Sequence, residues 1–337
     1  MGLMSIVADM GPQQTATPGA SPPDGDGHRP VLLHPLIESL QPRPGQTVVD
    51  GTLGAGGVST ALAERILPGG LLIAIDRDPV AVERGRERLT RFGNAVRVVH
   101  GDYGDLSGIL ADQDVEAIDA LTLDLGISSV QLDDPTRGFA FRFDGPLDMR
   151  LDPGDGSPCA ADIVNEWDEA EIAAIIKRFG EESFARGIAA AIVRRRRERP
   201  ITTTTELREI VERSIPRRYW PKRIHPATRT FQALRIAVNH ELESLERGLQ
   251  AAITALRPGG RLGVIAFHSL EDTLVKNALH VAARSCLCPP QQPICTCAHR
   301  ASLLLLTRKA IKADAAEIAV NPRARSARLR VAEKLNG

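Results

Sequence analysis

The 337-residue chain has no apolar run approaching the roughly 20 residues that a helical membrane span requires. An integral membrane protein built on such spans is therefore excluded, and no membrane partner is expected. The N-terminus has no basic stretch followed by an apolar core, so no secretory leader is expected. Cysteine is scarce. Five residues in a chain of this length do not make a disulfide framework, and a reducing cytoplasm is the expected compartment. A charge excess is missing too: 42 basic and 42 acidic residues cancel, so net charge names no partner. No internal repeat is present. The length suits one large or two ordinary domains.

Also absent is the Gly-x-Gly-x-x-Gly pattern of most dinucleotide sites. In its place stands VVDGTLGAGGVS, Val48 to Ser59, around which the rest of the chain is organised. β-Branched residues lead into Asp50; Gly51, Gly54, Gly56 and Gly57 follow; Ser59 then opens an apolar helical pattern. Strand, glycine turn and helix form the first unit of a doubly wound α/β sheet. The next expected strand, Leu71 to Ile75, ends in Asp76, and an acid there can take both ribose hydroxyls. Loop and acid together predict an adenosine site, which leaves NAD and S-adenosylmethionine both open. The bland alternative is a structural turn with a solvated Asp.

Further strands are expected at Val96 to His100 and Ala120 to Leu125, with a helix at Pro79 to Leu89 between β-type runs. This alternation predicts a parallel sheet, whose ligands bind outside the C-terminal strand ends. Asp50, Asp76, Asp102, Tyr103 and Asp124 all fall at such ends. From Asp168 to about Ile215 the signals are helical, which predicts a helical insertion before alternation resumes. Strands are then expected at Leu262 to Ala266, Leu303 to Thr307 and Ala327 to Val331. Residues 1–29 offer little to bury and read as a disordered tail.

DLGISSVQLDDPTRGFAFRFDGPLDMRLD, Asp124 to Asp152, closely resembles the bacterial family that methylates the N4 amine of a cytosine in 16S ribosomal RNA, RsmH or MraW. VDGTLGAGG, AIDRDPVAV, FGEESFARGIAAAIV, HPATRTFQALRIAVNHEL, GGRLGVIAFHSLED and NPRARSARLRVAEK agree with it in order. The resemblance implies an α/β fold: a class I, Rossmann-like methyltransferase sheet with an inserted helical domain. Residues 30–132 and 218–337 would bind S-adenosylmethionine, and 133–217 would recognise RNA. The implied cofactor contacts are Gly56, Gly57, Val58, Asp76, Tyr103, Asp124 and Gln131. Most relatives carry His where Val58 stands, so an imidazole contact is missing here and only a backbone contact remains. The implied partner is small-subunit ribosomal RNA or the assembling small subunit.

The chemistry of the residues is compatible with this. Asp76 suits the ribose, Tyr103 can stack on adenine, and the Gly56-Gly57 backbone can meet a carboxylate. Transfer to a cytosine amine needs in-line positioning and an acceptor for the amine as positive charge develops on nitrogen. Asp124, Asp148 and His268 are the candidates; for the last two the alternative is a hydrogen bond that steadies a loop. From Arg186 to Arg235 there are 14 basic against 4 acidic residues. Arg194, Arg195, Arg196, Arg197, Arg217, Arg218, Lys222 and Arg223 suit phosphates, and Trp220 suits an unpaired base. The alternatives are a solvated helix face and core packing. Cys286, Cys288, Cys295 and Cys297 lie close enough in sequence to hold zinc, although each pair is separated by one residue where two are usual. Two other functions remain open: an NAD-dependent oxidoreductase, and an RNA-binding relative whose catalysis is weakened.

Overall fold

The computed structural model describes residues 30–222, 224–289, 291–292 and 294–336, so the expected tail and Arg223 lie outside the described residues. Seven strands form one sheet: β1 Thr47–Asp50, β2 Leu71–Asp76, β3 Val96–His100, β4 Ile118–Asp124, β5 Leu256–Ala266, β6 Leu303–Leu305 and β7 Arg328–Lys334. Their order is β3-β2-β1-β4-β5-β7-β6. β1 to β5 are parallel, while β7 is antiparallel to both neighbours. The central strands are apolar on both faces because helices cover both. Val48, Leu72 and Ala120 face one layer, which includes Leu36 and Leu62; Val49, Ile73 and Leu121 face the other, which includes Leu245 and Leu249. The strand order reverses between β1 and β4, and there the strand ends leave a crevice.

Between β4 and β5 a helical unit has its own core. Helices Ala160–Glu166, Glu169–Gly180, Ala185–Arg196 and Thr204–Ser214 contribute Ile163, Ile172, Ile188 and Leu207 to it. The sequence reading ended this unit at 217, but its core continues through Phe231, Leu234 and Val238 of helix Thr228–Asn239. The apolar periodicity from 228 to 256 reads as one or two helices, and the structure has two. The break falls at His240, a single left-handed residue (φ 50°), after which helix Glu241–Ala255 packs on the sheet. β7 lies inside the sheet. Its Arg328 and Arg330 both pair with Asp272 at 2.7 Å.

Candidate active site

The glycine turn fits its place through two positions. A Cβ on Gly51 would meet Leu123 Cδ2 at 2.5 Å and Tyr103 Cβ at 3.2 Å, so a larger residue there would force the buried Leu123 side chain to shift. Gly56 precedes helix Gly57–Ile66 in a left-handed conformation, φ 81°. The first helical amide with a partner is that of Thr60, which donates to Gly56 O at 2.9 Å. The N–H groups of Gly57, Val58 and Ser59, without a partner among the described residues, thus form the free first turn, suited to an anion. Buried Asp50 fixes this turn from below by accepting from Ser59 Oγ at 2.6 Å and Thr52 N at 3.2 Å.

A cavity of about 330 Å³ opens above the strand ends, lined by Gly57, Val58, Asp76, Tyr103, Asp124 and Gln131 among others. Asp76 accepts from Gly54 N at 2.7 Å and Asp78 N at 2.9 Å, one bond to each oxygen. Burial pushes its carboxyl up to about 6. Burial, then the nearby charge of Asp102, raises the Tyr103 phenol well above its usual range and keeps it neutral. Gln131 is mostly committed: its side chain accepts from Ser128 N at 2.9 Å and donates to Asp78 at 2.7 Å.

Asp124 is different. Its backbone N–H donates to Thr52 Oγ1 at 2.7 Å, but its Oδ1 is enclosed with no hydrogen-bond partner among the described residues. Burial first, then the charges of Asp50 and Glu271, pushes its carboxyl up to about 8. His268 also lines this cavity. Its Nδ1 accepts from Glu271 N at 3.4 Å, whereas Nε2 lies 3.0 Å from Glu271 Oε1 without hydrogen-bond alignment. An unsatisfied carboxyl oxygen on a cavity wall is an uncommon feature, and it marks where a polar ligand atom fits. Asp148 lies outside this wall. It makes a double ion pair with Arg150, at 2.9 and 2.7 Å, and accepts from Arg150 N at 3.0 Å. Those bonds steady a loop.

Several lining residues were not singled out in the sequence. Arg235 makes a double ion pair with Glu241, both bonds 2.7 Å, and both residues line the cavity. Asn239 donates to Met149 O and Arg235 O, accepts from Leu151 N at 2.7 Å, and takes Arg77 Nη1 on its carbonyl at 2.6 Å. It thereby ties the helical unit to the end of β2. In the sequence its one signal is its place in the run HPATRTFQALRIAVNHEL.

The basic stripe divides into two kinds of cation. Arg194, Arg197, Arg217, Arg218 and Lys222 are exposed. Arg195 pairs with Glu198 and Glu206, and Arg196 caps a helix end by donating to Val164 O at 3.0 Å and Trp167 O at 2.7 Å. Trp220 packs against the helical core and donates from Nε1 to Ile215 O at 2.9 Å. Neighbouring Tyr219, 54% exposed, is the open aromatic, with Arg218 4.8 Å above its ring. The sulfurs of Cys286, Cys288, Cys295 and Cys297 converge within 4.8 Å of one another. No helix among the described residues is long and apolar enough to cross a membrane.

Comparison with known proteins bears on this geometry. The family model described as the MraW methylase family matches residues 26–335. The chain is 53% identical over 308 residues to a ribosomal RNA small subunit methyltransferase H of Trichlorobacter lovleyi, covering 91% of this chain and 98% of that protein. It is 50% identical over 312 residues to the protein of the same name from Pelobacter propionicus, covering 92% and 99%. For that of Geobacter sulfurreducens the identity is 51% over 311 residues, covering 91% and 99%.

Proposed function

The chain belongs to the MraW methylase family, and on that premise we propose that it methylates the N4 amine of a cytosine in small-subunit ribosomal RNA, with S-adenosylmethionine as donor. A ribosomal substrate puts the work in the cytoplasm. The NAD alternative falls with the family assignment. The observation that carries the residue roles is the unpartnered Oδ1 of Asp124 on the cavity wall.

The cavity suits the donor in its parts. Asp76 keeps lone pairs for the ribose, and Tyr103 offers an aromatic face to the adenine. The free amides of Gly57 to Ser59 suit the amino-acid carboxylate. When bound, S-adenosylmethionine supplies a methyl group made electrophilic by its positive sulfur. The carboxyls of Asp50 and Glu271 act on Asp124 there, and a cation entering beside it lowers the Asp124 carboxyl from about 8 toward ionisation. Asp124 stands two strands from Asp76 in the order β2-β1-β4, so the two acids reach different parts of a bound ligand. Its Oδ1 accepts an N–H of the cytosine amine, which holds the nitrogen in line and offsets the charge that develops on it. His268 lines the same cavity, with its Nδ1 occupied by Glu271 N and its Nε2 beside the Glu271 carboxylate. Asp148 holds its loop through Arg150.

The target amine sits on a base edge, so the base must be turned out of its stack to enter. The exposed cations Arg194, Arg197, Arg217, Arg218 and Lys222 of the helical unit hold the surrounding phosphates, and Tyr219 offers a stacking face. A weakened, RNA-binding relative is disfavoured by the intact cradle: Val58 is buried and its backbone amide remains in the free first turn. Mass mapping of methylated nucleosides in small-subunit RNA, with and without the protein, tests the proposal. Unchanged cytosine methylation in its absence would overturn it.

A further inference from the structure

The connection from helix Ser269–Ala282 to β6 carries the second feature of chemical interest. Its base is closed by Ser302 N donating to Ala282 O at 2.8 Å, with His299 Nε2 3.1 Å from Val281 O. Beyond that neck no described residue from 283 to 302 is buried, and Leu287 and Ile294 are 41% and 74% exposed. A loop without a core of its own pays conformational entropy with nothing to offset it unless a cross-link holds it. Yet the chain doubles back so that four sulfurs meet. Cys295 Sγ lies 3.4 Å from Cys286, 3.6 Å from Cys297 and 4.0 Å from Cys288, and Cys286 lies 3.7 Å from Cys297.

From this geometry we infer that Cys286, Cys288, Cys295 and Cys297 form a structural zinc site that clamps the loop. Four sulfurs around one tetrahedral zinc, with Zn–S bonds of about 2.3 Å, stand about 3.8 Å apart. Four of the six separations lie between 3.4 and 4.0 Å, and all six are within 4.8 Å. Two disulfides would instead draw the sulfurs into two separate pairs, whereas Cys295 is almost equally near all three others. Iron–sulfur clusters spread their thiolates around several irons and need a wider cage. Backbone amides turn toward the sulfurs as they do toward metal-bound thiolates: Cys288 N donates to Cys286 Sγ at 3.3 Å, Leu287 N to Cys297 Sγ at 3.4 Å and Thr296 N to Cys288 Sγ at 3.4 Å. These bonds explain how one intervening residue suffices within each pair. The site lies in the crossover to β6, and none of its ligands lines the cavity beside Asp124. Its role is to order the loop, and the chemistry of the methyl transfer does not pass through it.

The test uses the full chain purified under reducing conditions without chelator, by metal analysis and by equilibration with Zn²⁺ against a coloured competitor. About one tightly held zinc per chain is expected, displaced when the thiols are titrated with a mercurial. Cys295→Ser and Cys297→Ser should each lower zinc affinity at least tenfold and speed proteolytic cutting within the loop. Cys159→Ser should leave zinc unchanged, and S-adenosylmethionine affinity should be the same in all four proteins. Loss of tight zinc binding in Cys159→Ser, no zinc uptake by the wild-type chain, uptake indifferent to Cys295 and Cys297, or two disulfides in the reduced preparation would each overturn the assignment.

Discussion

Replacing Asp124 with Asn is expected to stabilise the free protein while removing its chemistry. The carboxyl titrates at about 8 in the fold against 3.8 for an ordinary Asp. Between those values the folded chain holds a proton that the unfolded chain has released. Stability is therefore full below the lower value and declines as pH rises toward the upper one, by about 1.4 kcal/mol per pH unit at the steepest. By pH 7 the part of the shift already traversed amounts to about 4 kcal/mol; water in the open cavity screens part of it, and about 2 kcal/mol is expected. The Asp124→Asn side chain keeps the shape and has nothing to titrate. Urea unfolding at about pH 5, 7 and 8.5 reads the difference, and the contributions of Asp50 and Asp76 largely cancel because both proteins carry them. The variant should gain on the wild type as pH rises, while methyl transfer drops by about 10²–10³-fold, as for loss of one preorganised transition-state contact. Stability curves that run parallel across this pH range, or a variant that still transfers methyl groups at the wild-type rate, would refute the reasoning.

Asp76→Ala should weaken S-adenosylmethionine binding by roughly 1.5–3 kcal/mol, the range for hydrogen bonds to a charged group, as read by calorimetry. In Gly248→Ala the new Cβ would stand 2.6 Å from Tyr103 Cδ2, so the ring must shift; an affinity loss of about tenfold is expected with the fold retained. Replacing exposed Arg194 and Arg197 together with Ala should lower RNA affinity and flatten its salt slope by about one to two, with S-adenosylmethionine affinity unchanged. Arg196→Ala should act oppositely. It removes bonds to Val164 O and Trp167 O, so thermal unfolding should show a loss of about 1–2 kcal/mol while the salt slope stays near wild type.

The sheet was legible because its strands are buried on both faces and read as short apolar runs ending in acids. Asp50, Asp76 and Asp124 follow directly from those runs. What those acids do was not legible. Asp50 is consumed by Ser59 and Thr52, while Asp124 keeps one oxygen unpartnered, and only the packing separates the two. Asn239 stayed hidden because its contact with Arg77 spans 162 positions. Trp220 and Arg196 illustrate the opposite difficulty. An aromatic and an arginine within a basic run suggest a surface, but the Ile215 carbonyl and a helix end claim them. The helical boundary was obscured because the apolar period passes through His240 unbroken, and a single left-handed residue carries no strong signal unless it is glycine.

The place of β7 has a consequence for how the chain is made. β7 pairs Val331 with Gly263 of β5 on one side and Ala332 with Leu305 of β6 on the other. As the chain leaves the ribosome, β1 to β5 can pair in turn, but the outer edge of β5 stays open until residues 328–334 arrive. β6 emerges before β7 and has no sheet neighbour until then. During synthesis an apolar strand carrying Leu262, Val264 and Ile265 therefore presents unpaired backbone groups to any other strand nearby. The finished sheet hides this edge completely. Its exposure to aggregation belongs to the interval of translation between β5 and β7, and lengthens whenever elongation slows between them.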